Sequence, residues 1–132
     1  MHDVPPAPRP SIADKFDTDS AAQLVALGYP ANADTLDELI FWSCFPNDPV
    51  CHITHPYIQS LPNEALVEPL LDFLQYNLEV GQTDLVVDAF WLFINPRGEA
   101  FRQQIRQAAG DEAIRALFDD PEYAPDPEDA AD

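Results

Sequence analysis

Leu85-Val86-Val87-Asp88-Ala89-Phe90-Trp91-Leu92-Phe93-Ile94-Asn95 is the stretch whose reading decides the fold. From Leu85 to Ile94 every position except Asp88 is apolar. A helix that is hydrophobic nearly all round belongs at the centre of a domain. Thr83 can cap such a helix at its start, and Asn95-Pro96-Arg97-Gly98 stops it. Trp91 is therefore expected to be largely buried, between the helices that precede and follow.

Working outward, four further helical stretches surround this one. Asp19 or Ser20 can cap a short helix through Leu27, which Gly28 and Pro30 end. Asp34 caps a second, with Leu36, Leu39, Ile40 and Phe41 at helical spacing until Pro46. The segment 51–62, interrupted by Pro56 and terminated by Pro62, reads as irregular or at most a short helical turn. Asn63 opens the third helix, with Leu66, Leu70, Phe73, Leu74 and Leu78 inward. Pro69 is expected to kink that helix or to begin it afresh. The fifth stretch runs from about Glu99 to Phe118, with a break at Gly110-Asp111. No run alternates with period two long enough to make a strand, so the expected class is all-α, a compact domain of about five helices over 19–118. Residues 1–18, rich in Pro and Asp, read as a flexible arm, and the acidic, Pro-punctuated 119–132 as a disordered tail.

A weak internal repeat overlies these helices. Leu24, Leu27 and Tyr29 return as Leu71, Leu74 and Tyr76. Phe41-Trp42 with Phe45 returns as Phe90-Trp91 with Ile94, and Asn63-Glu64-Ala65-Leu66 as Asp111-Glu112-Ala113-Ile114. The offsets, about 47 to 49 residues, fall in the range of stacked helical repeats. The segment Ala89-Phe90-Trp91-Leu92-Phe93-Ile94-Asn95, followed by Gln104-Ile105, Gly110 and the apolar helix from Ala113 to Phe118, resembles a unit of the armadillo family, with its A-x-W-x-x-x-N pattern. The first copy departs from this pattern, since Pro46 stands where the Asn would be. The resemblance implies two armadillo- or HEAT-like units. It also implies that Trp91 and Asn95 form a pair on a concave face, the Asn amide bonding the backbone of an extended peptide. Asp84 and Asp88, one turn apart just before them, would offer carboxylates to Lys or Arg. The alternative is structural, with Trp91 in the core and Asn95 acting as a helix stop.

Charge narrows the choice of partner. The 132 residues carry 24 Asp and Glu against one Lys and five Arg, a formal net charge of -18. Such a field repels phosphate backbones and anionic lipid, so direct nucleic-acid binding and membrane docking are not expected, and basic partners are favoured. The same acidity would equally serve solubility in an acidic proteome. The N-terminal residues lack the apolar run of a signal peptide and no segment has the length of a membrane span, so the expected location is cytoplasmic, with Cys44 and Cys51 reduced.

Chemistry-bearing residues gather only between Cys44 and His55. Cys44, Cys51, His52 and His55 together are a ligand set that zinc accepts, although C-x6-C is long and adjacent Cys51 and His52 fit one tetrahedral ion poorly. Cys51 activated by His52 or His55 would be a nucleophile. Against both stands the plain reading of Cys44 as a small buried residue and of the histidines as surface groups. Four scattered Gly make no phosphate loop, and no cofactor is implied. The sequence thus points to a non-enzymatic acidic module or adaptor for a basic protein or peptide. One alternative is an immunity protein or nucleic-acid mimic that neutralises a basic nuclease or DNA-binding protein, and another a metal- or thiol-dependent enzyme on the Cys44–His55 segment.

Overall fold

A computed structural model describes residues 11–125, which form an all-helical domain with seven α-helices and no strand among them. The expected class holds, with two more helices than the five stretches read from sequence. α1 (Thr18–Leu27) is capped by Asp17, whose side chain accepts from Ser20 N, and ends at Gly28, whose φ of 72° suits a glycine. A 3-10 turn over Ala33–Thr35 leads into α2 (Leu36–Trp42), which buries Leu36, Leu39 and Ile40.

The first correction concerns the segment after α2. Cys51–Ser60 is a full helix, α3. Its buried side holds Cys51, Thr54 and Ile58 at three- and four-residue spacing, a pattern the two prolines conceal. Pro56 removes only the hydrogen bond to the His52 carbonyl, on the exposed face, where that carbonyl is open to solvent. The second correction concerns Pro69. α4 (Asn63–Glu79) runs through it unbroken, with Pro69 buried among Leu66, Leu70 and Phe73. Packing on that face outweighs the one lost backbone bond.

α5 (Thr83–Ala89) continues into a π turn over Phe90–Ile94 and a 3-10 turn over Asn95–Arg97. Phe90, Phe93 and Ile94 are fully buried, so this stretch is the centre of the domain, as its composition demands. The helix ends where Pro96 cannot donate to the Leu92 carbonyl; Gln59 Nε2 of α3 supplies that bond instead, at 2.8 Å. α6 (Glu99–Ala108) and α7 (Glu112–Leu117) are separated at the expected Gly110-Asp111 break, and Asp111 caps α7 by accepting from Ala113 N. α4 lies at the hub, packed against α2, α5, α6 and α7, while α3 packs on α1 and α2.

Both ends of the described chain are docked, which corrects the expected arm and tail. Ile12 is buried, and its N–H donates to Glu38 Oε2 at 2.7 Å. Beyond α7, Pro121–Tyr123 forms a 3-10 turn that buries Tyr123 against the Phe90 ring, with centroids 4.9 Å apart. The aromatic side chain gives this acidic segment the apolar anchor that composition alone seemed to deny it. The remaining parts of the expected arm and tail, 1–10 and 126–132, lie outside the described residues. Among the described residues no helix is long and apolar enough to cross a membrane.

Candidate functional site

The scarce arginines decide where the charge of this protein appears. Each of the four among the described residues caps backbone carbonyls or pairs locally. Arg97 donates to the carbonyls of Ile58, Gln59 and Leu61 and to Asn63 Oδ1, closing the C-terminus of α3. Arg102, 4% exposed, donates to Asn95 Oδ1, to Tyr123 O at 3.0 Å and to Phe118 O at 3.1 Å, and its guanidinium faces the Phe90 and Phe118 rings. Arg115 caps Ala109 O and pairs with Glu112, and Arg106 pairs with Asp119. None of the four reaches the carboxylates on the outer face of α4.

That face carries Glu68, Asp72 and Tyr76, one helical turn apart, and it floors three adjoining hollows. The first, of about 380 Å³, lies between α2, α4 and the start of α5, with Asp37, Asp72, Phe41, Tyr76, Val80 and Leu85 on its walls. A second, of about 430 Å³, is bounded by Asp34, Asp37, Glu68 and Asp72. In the third, of about 600 Å³, Glu68 and Asp72 face Asp111 and Glu112 at the α6–α7 break. Asp72 belongs to all three, so the hollows make one continuous acidic surface, apolar at the end where Tyr76 is 63% and Val80 50% exposed. Sequence reasoning did not single these residues out. Glu68, Asp72 and Tyr76 do stand on the polar side of the α4 stripe, a legible signal, but the facing carboxylates come from α2 and α7, which only folding brings near.

The residues that sequence did single out are placed differently. Asp84 is exposed, Asp88 and Trp91 are half-buried, and Asn95 is buried. Trp91 is thus less enclosed than expected. Asn95 does not face outward: its amide nitrogen donates to Tyr123 O and its oxygen accepts from Arg102. The physical reason is the π turn, in which Asn95 N–H bonds the Phe90 carbonyl five residues back. The extra residue rotates Asn95 off the line through Asp84, Asp88 and Trp91 that uniform helical spacing assumes. Asp88 has its carboxyl pKa raised by burial and, secondarily, by the nearby Asp84 charge.

The Cys44–His55 segment proves to be a polar latch between α2 and α3. Ser43 O accepts from Cys51 Sγ at 3.6 Å and bonds His55 Nδ1 at 2.9 Å, while Ser43 Oγ donates to Leu39 O and accepts from Thr54 Oγ1. Since a carbonyl can only accept, His55 carries its proton on Nδ1 there, and Nε2 accepts from Gln59 Nε2. Cys44 donates to Ile40 O, and its thiol is pushed up to about 12 by burial, with Asp88 and Cys51 adding to the effect. Burial also raises the Cys51 thiol. Thiols held protonated are poor nucleophiles and poor ligands. His52 is exposed, and among the described residues no three His, Cys, Asp or Glu side chains are grouped to hold a metal ion. Of the four residues of the zinc or thiol alternative, Cys44, Cys51 and His55 are thus bonded to backbone carbonyls, and His52 stands apart on the surface. A hollow of about 270 Å³ beside Cys51, His55 and Leu92 marks the edge of this latch.

Comparison with known protein families, with curated proteins and with solved structures finds no match to this chain.

Proposed function

We propose that this chain is a non-catalytic, cytoplasmic binding module that takes a basic protein or peptide on the acidic face of α4. The observation that carries this reading is the disposition of charge. The four described arginines are consumed as helix caps and local pairs, so Asp37, Glu68 and Asp72 converge on adjoining hollows that none of these four reaches. Like charges gathered around a concave surface focus the field outward, attract cations and speed their association. Solubility alone would be served by carboxylates scattered evenly; their concentration in concavities beside exposed Tyr76 suits recognition.

The test uses a fluorescent peptide of alternating Lys and Ser as probe. Affinity should fall steeply between low and physiological salt, because the encounter relies on interactions that ions screen. The triple variant Asp37→Asn, Glu68→Gln, Asp72→Asn should bind about tenfold more weakly, at roughly 0.5 kcal/mol per exposed pair. Changing three carboxylates off α4, Asp19→Asn, Asp48→Asn and Glu122→Gln, should have less than a threefold effect. Equal losses from both triples would mean that net charge alone attracts the peptide, and would refute a site on α4.

A further inference from the structure

We propose that the 380 Å³ hollow at the apolar end of this face is an anchor pocket for one aromatic or branched side chain of the partner, flanked in the partner by Lys or Arg. The inference rests on the binding reading above and specifies its partner: an amphipathic basic segment, as opposed to any cationic surface.

Three features of the hollow lead there. First, it has an exposed apolar wall. Tyr76 and Val80, four residues apart at the C-terminal end of α4, are 63% and 50% exposed, whereas the other exposed large hydrophobics among the described residues, Phe16, Leu27 and Tyr29, do not line this hollow. Scattered exposed hydrophobics are ordinary, but two convergent on a concavity are not. Second, the opposing wall is held in place. Phe41 contacts Trp42 and Phe45 edge to face, with centroids 5.2 and 5.1 Å away, and Leu85 is half-buried against the core. A pocket whose walls are already ordered loses less entropy on binding. Third, the rim is polar in a way that matches a peptide. Asp37 and Asp72 line the same hollow, and the exposed Gln82 amide beside it supplies both a donor and an acceptor for backbone.

The volume lies near the lower end of small-ligand pockets, a size that accepts one large side chain and excludes a folded element. Charge selects the occupant. A second copy of this chain would bring a net charge of -18 to an acidic rim, and nucleic acid or anionic lipid would bring phosphate. A polypeptide with cations on both sides of an apolar residue satisfies rim and floor together. Tyr, which lines the pocket here, is also among the residues that most often dominate such contacts.

Two peptides of equal charge provide the test: Lys-Lys-Ser-Phe-Ser-Lys-Lys, and the same peptide with its central Phe replaced by Ser. The first should bind the full chain about tenfold more tightly. The double variant Tyr76→Ser, Val80→Ser changes only exposed side chains and so should keep the fold, checked by an unchanged melting temperature. It should abolish the difference between the peptides while leaving the Ser peptide's affinity unaltered. Phe16→Ser, which removes a side chain 67% exposed in the neighbouring aromatic hollow, should leave the difference intact. Equal binding of the two peptides to the unaltered chain would overturn the anchor pocket while the charge-based reading stood. Loss of the difference in Phe16→Ser in place of the Tyr76→Ser, Val80→Ser variant would put the anchor elsewhere and equally overturn it. Failure of both peptides to bind better than a neutral one would overturn the binding function itself.

Discussion

Replacing Arg102 by Met tests whether one of the few cations of this acidic chain is a structural keystone. Met keeps most of the length of the side chain, so the apolar stem is largely retained, while the cation that faces the Phe90 and Phe118 rings is lost. What disappears is the guanidinium, and with it the donors to Asn95 Oδ1, Phe118 O and Tyr123 O. Tyr123 O keeps a second donor, Asn95 Nδ2 at 3.2 Å, which leaves two buried acceptors without partners. At about 1–3 kcal/mol for each orphaned acceptor the loss is roughly 2–6 kcal/mol. Release from the desolvation of a buried charge, to which the lowered pKa of Arg102 testifies, offsets part of it. A net destabilisation of about 3 kcal/mol is expected, which for a domain of this size lowers Tm by about 10 °C or more. Differential scanning calorimetry against Arg106→Ala gives the comparison, since Arg106 makes only a surface pair with Asp119 and its loss should cost under about 1 kcal/mol. Arg102→Lys should recover less than half of the lost stability, because one ammonium cannot span acceptors on three segments. The reasoning is refuted if Arg102→Met melts no lower than Arg106→Ala. The guanidinium would then be buried at a cost its hydrogen bonds only just offset.

Three other outcomes follow from the same geometry. Shortening the chain after Asp119 removes Tyr123 from the Phe90 ring and one acceptor from Arg102, and should lower Tm by several degrees; an unchanged melting curve would show that the C-terminal turn adds nothing. With the Cys44 thiol pushed up to about 12 and the Cys51 thiol also raised, a disulfide reagent at pH 8 should label neither until denaturant is added, and rapid labelling of the native protein would contradict the latch. Because burial raises the folded-state pKa of Asp88, its contribution to stability is intact below about 3.8 and is lost as pH rises through the folded value. Asp88→Asn should therefore melt higher than the unaltered protein at pH 7, with the gap closing towards pH 3. A gap independent of pH would assign the effect to packing.

Secondary-structure class was legible wherever one physical signal dominated. The apolar run Leu85–Ile94 identified the central helix, and Gly28 and Gly110-Asp111 marked a real end and a real break, because backbone punctuation acts locally. The signal failed where local and tertiary terms conflict. Pro56 and Pro69 each remove one backbone hydrogen bond, a local cost visible in the sequence. The burial of Cys51, Thr54 and Ile58, or of Leu66, Leu70 and Phe73, that outweighs it becomes visible only when the facing helices are in place.

The candidate site divides along the same line. By itself the sequence determined the fold class, the acidic character of the chain and the central position of Phe90 and Phe93, since composition and helical periodicity are properties of the chain before it folds. Only the tertiary structure decided which carboxylates lie together. Asp84 and Asp88, a turn apart, looked like a pair, yet Asp88 turns partly inward and the π turn takes Asn95 into the core. Asp37 and Asp72, far apart in sequence, share a hollow. The physical reason is that a helix face is fixed by about 100° per residue only while the helix stays α, and that electrostatic potential sums over distance in space, not along the chain. The arginines complete the division: their number could be counted in the sequence, but that three of the four described ones cap α3, α6 and α7 depended on where those helix ends came to lie.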